Sequence, residues 1–362
     1  MRFGLFYLPS FASGDGPPPA ALLREIVEQA AFGEELGFAG VWLAEHHFHG
    51  FGGVMSCPAT LGSAIAMRTR RLRIGTAVTL LAYHHPLRVA EEYATLDVLS
   101  EGRLDFGVGT GFLRWENEVF DAPLETVRAK FAETLDVVLR CWQEDEVAYD
   151  GQFVRFPALT TLPRPIQRPH PPVWLAAITT PETFVLAGQR GYHLMLAPFL
   201  HPVAELREKV ALYHDALRAA GHDPATHEVL AAYHVYVGTD RAAARAVAEV
   251  GVRSYVAASA EIHARTADRP IPASFRKQQR SSVDVLGTSI DDMLVERRVI
   301  AGTAAECADV LASLQEDLGL TYVAANVALT GLSPAEVRRS MERLAAHVVP
   351  QFAAATRDHD AT

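Results

Sequence analysis

The polar residues able to do chemistry fall into a few clusters. Glu45-His46-His47-Phe48 closes one apolar run, and His84-His85 precedes Pro86. Histidine is the side chain whose ordinary pKa lies near neutrality, so two His pairs at the ends of apolar runs point to proton transfer, or to contacts with a polar ring system. His46 is the stronger functional candidate, while His47 and His84 read as structural. Neighbours on an extended segment point opposite ways, and no i, i+4 partner or carboxylate triad accompanies them, so no metal site is expected. Two further clusters suit an anion. Gly107-Val-Gly-Thr-Gly, with Thr110 between Gly109 and Gly111, offers exposed backbone N–H groups. Thr179-Thr180-Pro181-Glu182 reads as a helix start with Thr180 as cap and Pro181 at the first helical position. Such a start, bearing two hydroxyls at the rim, reads equally as a bare helix cap or as a phosphate site.

These clusters need elements to hold them. Short apolar runs alternate with amphipathic stretches, the pattern of β/α units around a mainly parallel sheet. Strands are expected at Phe3 to Tyr7, from Gly40 to Ala44, from Arg71 to Leu81, from Leu104 to Val108, from Val173 to Ala177, from Leu194 to Ala197, from Val229 to Val237 and from Tyr322 to Ala328. Eight strands, each followed by helix, is the count of a (β/α)8 TIM barrel, here read as one domain over residues 1–362. The doubly wound alternative needs its glycine-rich turn after strand one, whereas here that turn follows strand four. The clusters then share the rim at the C-terminal strand ends, where barrels of this kind place their active sites.

Two stretches break the rhythm. The proline-rich piece 147–172 is an excursion with a small hairpin, Val147 to Tyr149 against Gln152 to Phe156. The stretch 264–300, between strands seven and eight, is expected to be a long rim loop and is read as an active-site lid.

Composition limits the partners. A formal charge of −10, from 33 Lys and Arg against 43 Asp and Glu, argues against a general nucleic-acid binder, so any phosphate must be held locally. With 49% apolar residues, 21% charged residues and a mean hydropathy of +0.07, the chain can bury a sizeable core. Cys57, Cys141 and Cys307 lack any paired spacing, so neither a disulfide framework nor a cysteine zinc site is expected. No run approaches a membrane span and no signal segment is read, so a cytoplasmic protein is expected.

In their order and spacing, Gly37-Phe-Ala-Gly-Val-Trp-Leu-Ala-Glu-His-His-Phe, His85-Pro-Leu-Arg-Val-Ala-Glu-Glu and Leu99-Ser-Glu-Gly-Arg-Leu-Asp-Phe-Gly-Val-Gly-Thr-Gly form a specific set. With Met1-Arg-Phe-Gly-Leu-Phe and Pro172-Val-Trp-Leu-Ala-Ala, the chain resembles the luciferase-like flavin-dependent monooxygenases over nearly its whole length. The resemblance implies a barrel that takes reduced FMN (FMNH2) from a separate NAD(P)H flavin reductase, activates O2 as a flavin C4a-hydroperoxide and oxygenates a small organic substrate. It implies that His46 is catalytic and Glu45 its neighbouring acid, and that Ala77-Val78 is a non-prolyl cis peptide beneath the flavin ring. His85, Gly109, Thr110, Gly111, Ala177, Thr179 and Thr180 are the further cofactor contacts expected. It also implies a homodimer through the helices around Cys57 to Met67 and Leu87 to Leu99.

One departure bears on the cofactor. Where luciferases carry a reactive cysteine next to a phosphate-binding arginine, this chain has Gly109 and Thr110, so the phosphate falls to Thr110, backbone N–H groups and the Thr179-Thr180 helix start, with Arg128. That change leaves F420-dependent hydride transfer on the same barrel as the alternative. From another class, a non-catalytic flavin-binding subunit would keep the cofactor without turnover.

Overall fold

The computed structural model describes residues 1–11, 16–270, 272, 275–276 and 287–355. Eight parallel strands close on one another. In order round the barrel they are β1 (Arg2–Tyr7), β2 (Gly40–Leu43), β3 (Arg73–Thr76), β5 (Leu104–Gly109), β8 (Val173–Ala176), β9 (His193–Leu196), β10 (Val229–Val237) and β12 (Tyr322–Asn326). The β9–β10, β10–β12 and β12–β1 pairings complete the ring. β4 (Thr79–Leu80) pairs with the end of β5, and β11 (Val299–Gly302) with the end of β10. The hairpin β6 (Val147–Asp150) and β7 (Arg155–Leu159) stands apart.

Around the barrel lie α1 (Pro19–Glu35), α2 (Pro58–Arg68), α3 (Pro86–Leu99), α4 (Arg114–Val119), α5 (Val127–Gln143) and α6 (Pro181–Gln189). They are followed by α7 (Val203–Ala219), α8 (Arg241–Ala264), α9 (Ile290–Val295), α10 (Ala304–Leu318) and α11 (Pro334–Arg343). Their ends follow local chemistry. Thr303 and Glu306 form a capping box at the start of α10, and Gly319, at φ 60, ends it in the left-handed conformation that a residue with Cβ resists. Pro starts α1, α2, α3, α6 and α11, where its missing N–H is no loss. Among the described residues no helix is long and apolar enough to cross a membrane.

The N-terminal end of the barrel is plugged. Trp42 meets Trp174 edge-on at 5.0 Å and Tyr322 at 5.7 Å, all three fully buried. Glycines make room for these rings: a Cβ on Gly75 would overlap the Trp42 indole, and one on Gly40 would come within 2.8 Å of the Tyr322 hydroxyl. Below them Arg73 holds Asp105 through two bonds of 2.7 and 2.8 Å, and Arg2 pairs with Glu228. With this end filled, the open space lies at the C-terminal strand ends.

All eight expected strands are present, with three differences of detail. The run read as one strand from Arg71 to Leu81 is split into β3 and β4 by Ala77 and Val78, whose peptide bond is cis. The hairpin forms with its second strand three residues later than read, because the Glu133 carboxylate accepts from the N–H groups of Gln152, Phe153 and Val154 and holds them in the turn. The stretch 264–300 contains structure the loop reading omitted, namely α9, capped by Ser289, and the start of β11. Residues 271, 273–274 and 277–286, the centre of the expected lid, lie outside the described residues.

Candidate active site

β2 ends at Leu43, and the next residues run straight into the cavity. Glu45, His46 and His47 are all buried, and Phe48, at φ 68, turns the chain away. Alternation sends His46 and its neighbours to opposite sides. On one side the Glu45 carboxylate accepts from His47 Nε2 at 2.9 Å, from His84 Nε2 at 2.6 Å and from the Leu80 N–H at 3.0 Å. Burial opposes the charge on Glu45, but these hydrogen bonds outweigh it and hold its pKa below the usual carboxylate range. On the other side His46 Nδ1 lies 3.1 Å from Oε1 of Glu116, which is supplied by α4.

Glu116 is a candidate functional residue that sequence reasoning missed. Its Oε1 also accepts from the His47 backbone N–H at 2.7 Å and from His49 Nε2 at 3.0 Å. Burial pushes its pKa upward, yet the His46 charge and these hydrogen bonds prevail and bring it down to about 2. An ionised carboxylate only accepts, so whenever the His46 ring is neutral its proton sits on Nδ1 and its lone pair on Nε2. Nε2 has no partner among the described residues, and the His46 ring lines the cavity beside Phe51 and Phe112. A ring fixed at one nitrogen and basic at the other is built for general-base or general-acid work.

Two trios, Glu45/His47/His84 and His46/His49/Glu116, each bring ligand-type atoms within 4.8 Å. The sequence reading counted no carboxylate triad near the histidines, because Glu116 lies 70 residues from His46. In both trios the facing atoms are joined by the hydrogen bonds just described.

The cavity, of about 320 Å³, takes its floor from the barrel interior. Ala77, Val78, Gly109, Thr110, Gly111, Thr179 and Thr180 all line it, with Glu45 and His46. A Cβ on Gly109 would come within 2.6 Å of Val78 Cγ2, so glycine there lets Val78 and the strand end share the same space. Thr180 does not cap α6 with its side chain. Its hydroxyl instead accepts from Arg128 Nη2 at 3.2 Å, while Thr179 Oγ1 is 2.9 Å from His201 Nε2. Arg128 comes from α5 and stacks 5.0 Å over the Phe275 ring. Glu182, exposed in the first turn of α6, lines the same end.

Two expected contacts lie elsewhere. His85 is exposed, outside the cavity lining, and its Nδ1 accepts the Leu87 N–H at 3.3 Å at the start of α3. Ala177 is fully buried in the main core, with Ala176 beside it on the cavity wall.

The arrangement fits a flavin mononucleotide. A guanidinium and threonine hydroxyls at one side suit a phosphate, an apolar floor without a Cβ at Gly109 suits a flat ring, and His46 Nε2 faces the same space.

Residues 1–322 match the model of the family described as luciferase-like monooxygenase. The oxygenase component of the flavin-dependent trigonelline monooxygenase of Acinetobacter baylyi is 29% identical over 66% of this chain and 65% of its own length. The 4-hydroxyprotoasukamycin monooxygenase of Streptomyces nodosus subsp. asukaensis is 28% identical over 97% of this chain and 92% of its own. Among the first curated relatives the chain spans about half to two thirds of their length, 55% in one and 54% in another. The crystal structure of the monooxygenase RslO1 from Streptomyces bottropensis superposes with a TM-score of 0.82 at 30% identity, covering 97% of this chain and all of that one.

Proposed function

The chain belongs to the luciferase-like monooxygenase family, and from that premise we propose that it is the oxygenase of a two-component system, using FMNH2 delivered by a separate NAD(P)H flavin reductase to oxygenate a small organic substrate. The observation that carries this reading is that one cavity holds both the anion-binding set Arg128, Thr180 and Thr110 and the base-bearing ring of His46.

Arg128, Thr180, Thr179 and Thr110 would hold the FMN phosphate, and Val78, Ala77 and Gly109 would bear on its ring. Reduced FMN, when bound, supplies the two electrons with which O2 is activated. The chain's own residues do the rest. Glu116 keeps the His46 proton on Nδ1, so Nε2 accepts a proton from the reacting partner and returns it later. Glu45, at the cavity edge, holds His47 and His84 in place behind the β2 end. Phe51, Phe112, Phe199 and Tyr255 give the cavity an aromatic wall against which an organic substrate would pack.

The separate reductase is supported by the printed description of the Acinetobacter baylyi relative as an oxygenase component. A homodimer through α2 and α3 is supported by Met67, Val98 and Leu99, large apolar residues left 62%, 38% and 43% exposed there. The cofactor reading is tested by titrating the protein in parallel with FMN and F420. Tighter binding of FMN is expected, and a clear preference for F420 would replace oxygenation by hydride transfer.

A further inference from the structure

Two strands round the ring from the β8 end that carries Thr180 stands a second histidine that the chemistry above leaves unused. His234 ends the inward row Leu230, Ala232, His234 on β10, and Asn326 ends the row Tyr322, Ala324, Asn326 on β12. The two are register partners on adjacent strands, and Asn326 Nδ2 lies 3.2 Å from His234 Nδ1. β12 is four strands round the ring from β5, so this pair and Thr110 face each other across the mouth.

Burial lowers the His234 pKa to about 4, which leaves the ring neutral near pH 7. A neutral imidazole that accepts at Nδ1 carries its proton on Nε2. Neither His234 Nε2 nor Asn326 Oδ1 has a hydrogen-bond partner among the described residues, and neither is sealed from solvent, for both residues line the cavity. The pair therefore shows the cavity one donor and one acceptor. Turning the amide over exchanges the two roles and still leaves one of each. The surrounding wall is aromatic: Phe199 and Tyr255 stand edge-on to His234 at 5.1 and 4.8 Å.

Resting on the monooxygenase reading, we propose that His234 and Asn326 are the specificity-determining contact for the organic substrate, and that this substrate is a flat, uncharged aromatic molecule carrying a carbonyl close to an O–H or N–H. The carbonyl accepts from His234 Nε2–H and the substrate hydrogen is donated to Asn326 Oδ1. A carboxylate would meet no cation at this end of the cavity among the described residues, and a plain hydrocarbon would strand both polar groups.

The test is a fluorescence titration of three probes into protein saturated with FMN, its occupancy read from flavin absorbance. 2-Quinolone carries both groups, N-methyl-2-quinolone lacks the donor, and naphthalene lacks both. 2-Quinolone should bind at least tenfold more tightly than either of the others. His234→Phe, which keeps an aromatic ring, should bring the three within about twofold of one another, while His234→Gln, which retains a donor and an acceptor, should keep the preference. Asn326→Leu, judged like His234→Phe, covers a His234 variant that does not fold. Equal binding of the probes, binding of none, or a preference that survives His234→Phe or Asn326→Leu would overturn the proposal. Loss of FMN occupancy in the unaltered protein would instead overturn the monooxygenase reading, and the same probes on flavin-free protein then judge the pair by itself.

Discussion

Oε1 of Glu116, on a six-residue helix, lies 3.1 Å from Nδ1 of His46, at the end of a barrel strand 70 residues earlier. This contact decides which His46 nitrogen carries the proton and which faces the cavity. His46→Ala should therefore lower turnover by about 10²- to 10⁴-fold with FMN affinity nearly intact. Glu116→Gln, which keeps the shape but lets the ring change tautomer, should lose activity in the same direction while binding FMN as before. Product formed from the first accepted aldehyde, ketone or aromatic, measured beside FMN affinity, checks both. Full activity in His46→Ala would make that ring structural.

The same carboxylate makes stability depend on acid. Its pKa is about 2 in the folded chain against an ordinary 4.5, so the stabilisation is complete above about 4.5 and is lost as pH falls towards about 2. The loss should approach about 3 kcal/mol over that window. Denaturant unfolding at stepped pH should show it, and Glu116→Gln should flatten this part of the profile.

Arg128 reaches the cavity beside Thr180. Arg128→Gln should weaken FMN by about 10- to 100-fold, the worth of a charge-assisted hydrogen bond, and leave riboflavin, which has no phosphate, unchanged. Equal losses for both flavins would remove Arg128 from the phosphate site.

Much of this was legible in the sequence, because the barrel is written in short apolar runs and in the turn residues between them. The eight strands and the glycine-rich turn after the fourth are of that kind. Glu116 was not legible: Arg114-Trp-Glu-Asn-Glu-Val is too short and too charged to show helical periodicity, and its burial depends on a partner 70 residues away. His234 and Asn326 escaped for the same reason, being neighbours across a sheet and 92 residues apart in the chain. The cis bond at Ala77-Val78 came from the family resemblance alone, for neither residue is a Gly or Pro that would mark a break in the strand. His85 looked like His46 by type, yet Pro86 starts a helix there and draws its side chain into the cap.

Gly75 is where the plugged end of the barrel is tightest, since any Cβ there would overlap Trp42. Gly75→Ala should cost about 1–3 kcal/mol, read as a lowered Tm, without changing the cavity residues. An unchanged Tm would mean that the indole has room to move.

Met67, Val98 and Leu99 remain exposed on α2 and α3. Sedimentation at micromolar concentration should give a dimer of the 39.5 kDa chain, and Leu99→Glu should shift it to monomer. A strict monomer before any substitution would contradict the proposed interface.

The most direct test of the central claim is rapid mixing of the protein, loaded anaerobically with chemically reduced FMN, with air-saturated buffer while flavin absorbance is followed. Bound in this cavity, reduced FMN should reoxidise with a time course that departs from that of free FMN in proportion to the protein added, and His46→Ala should alter that course without releasing the flavin. Reoxidation at the free-flavin rate at every protein concentration would contradict the account.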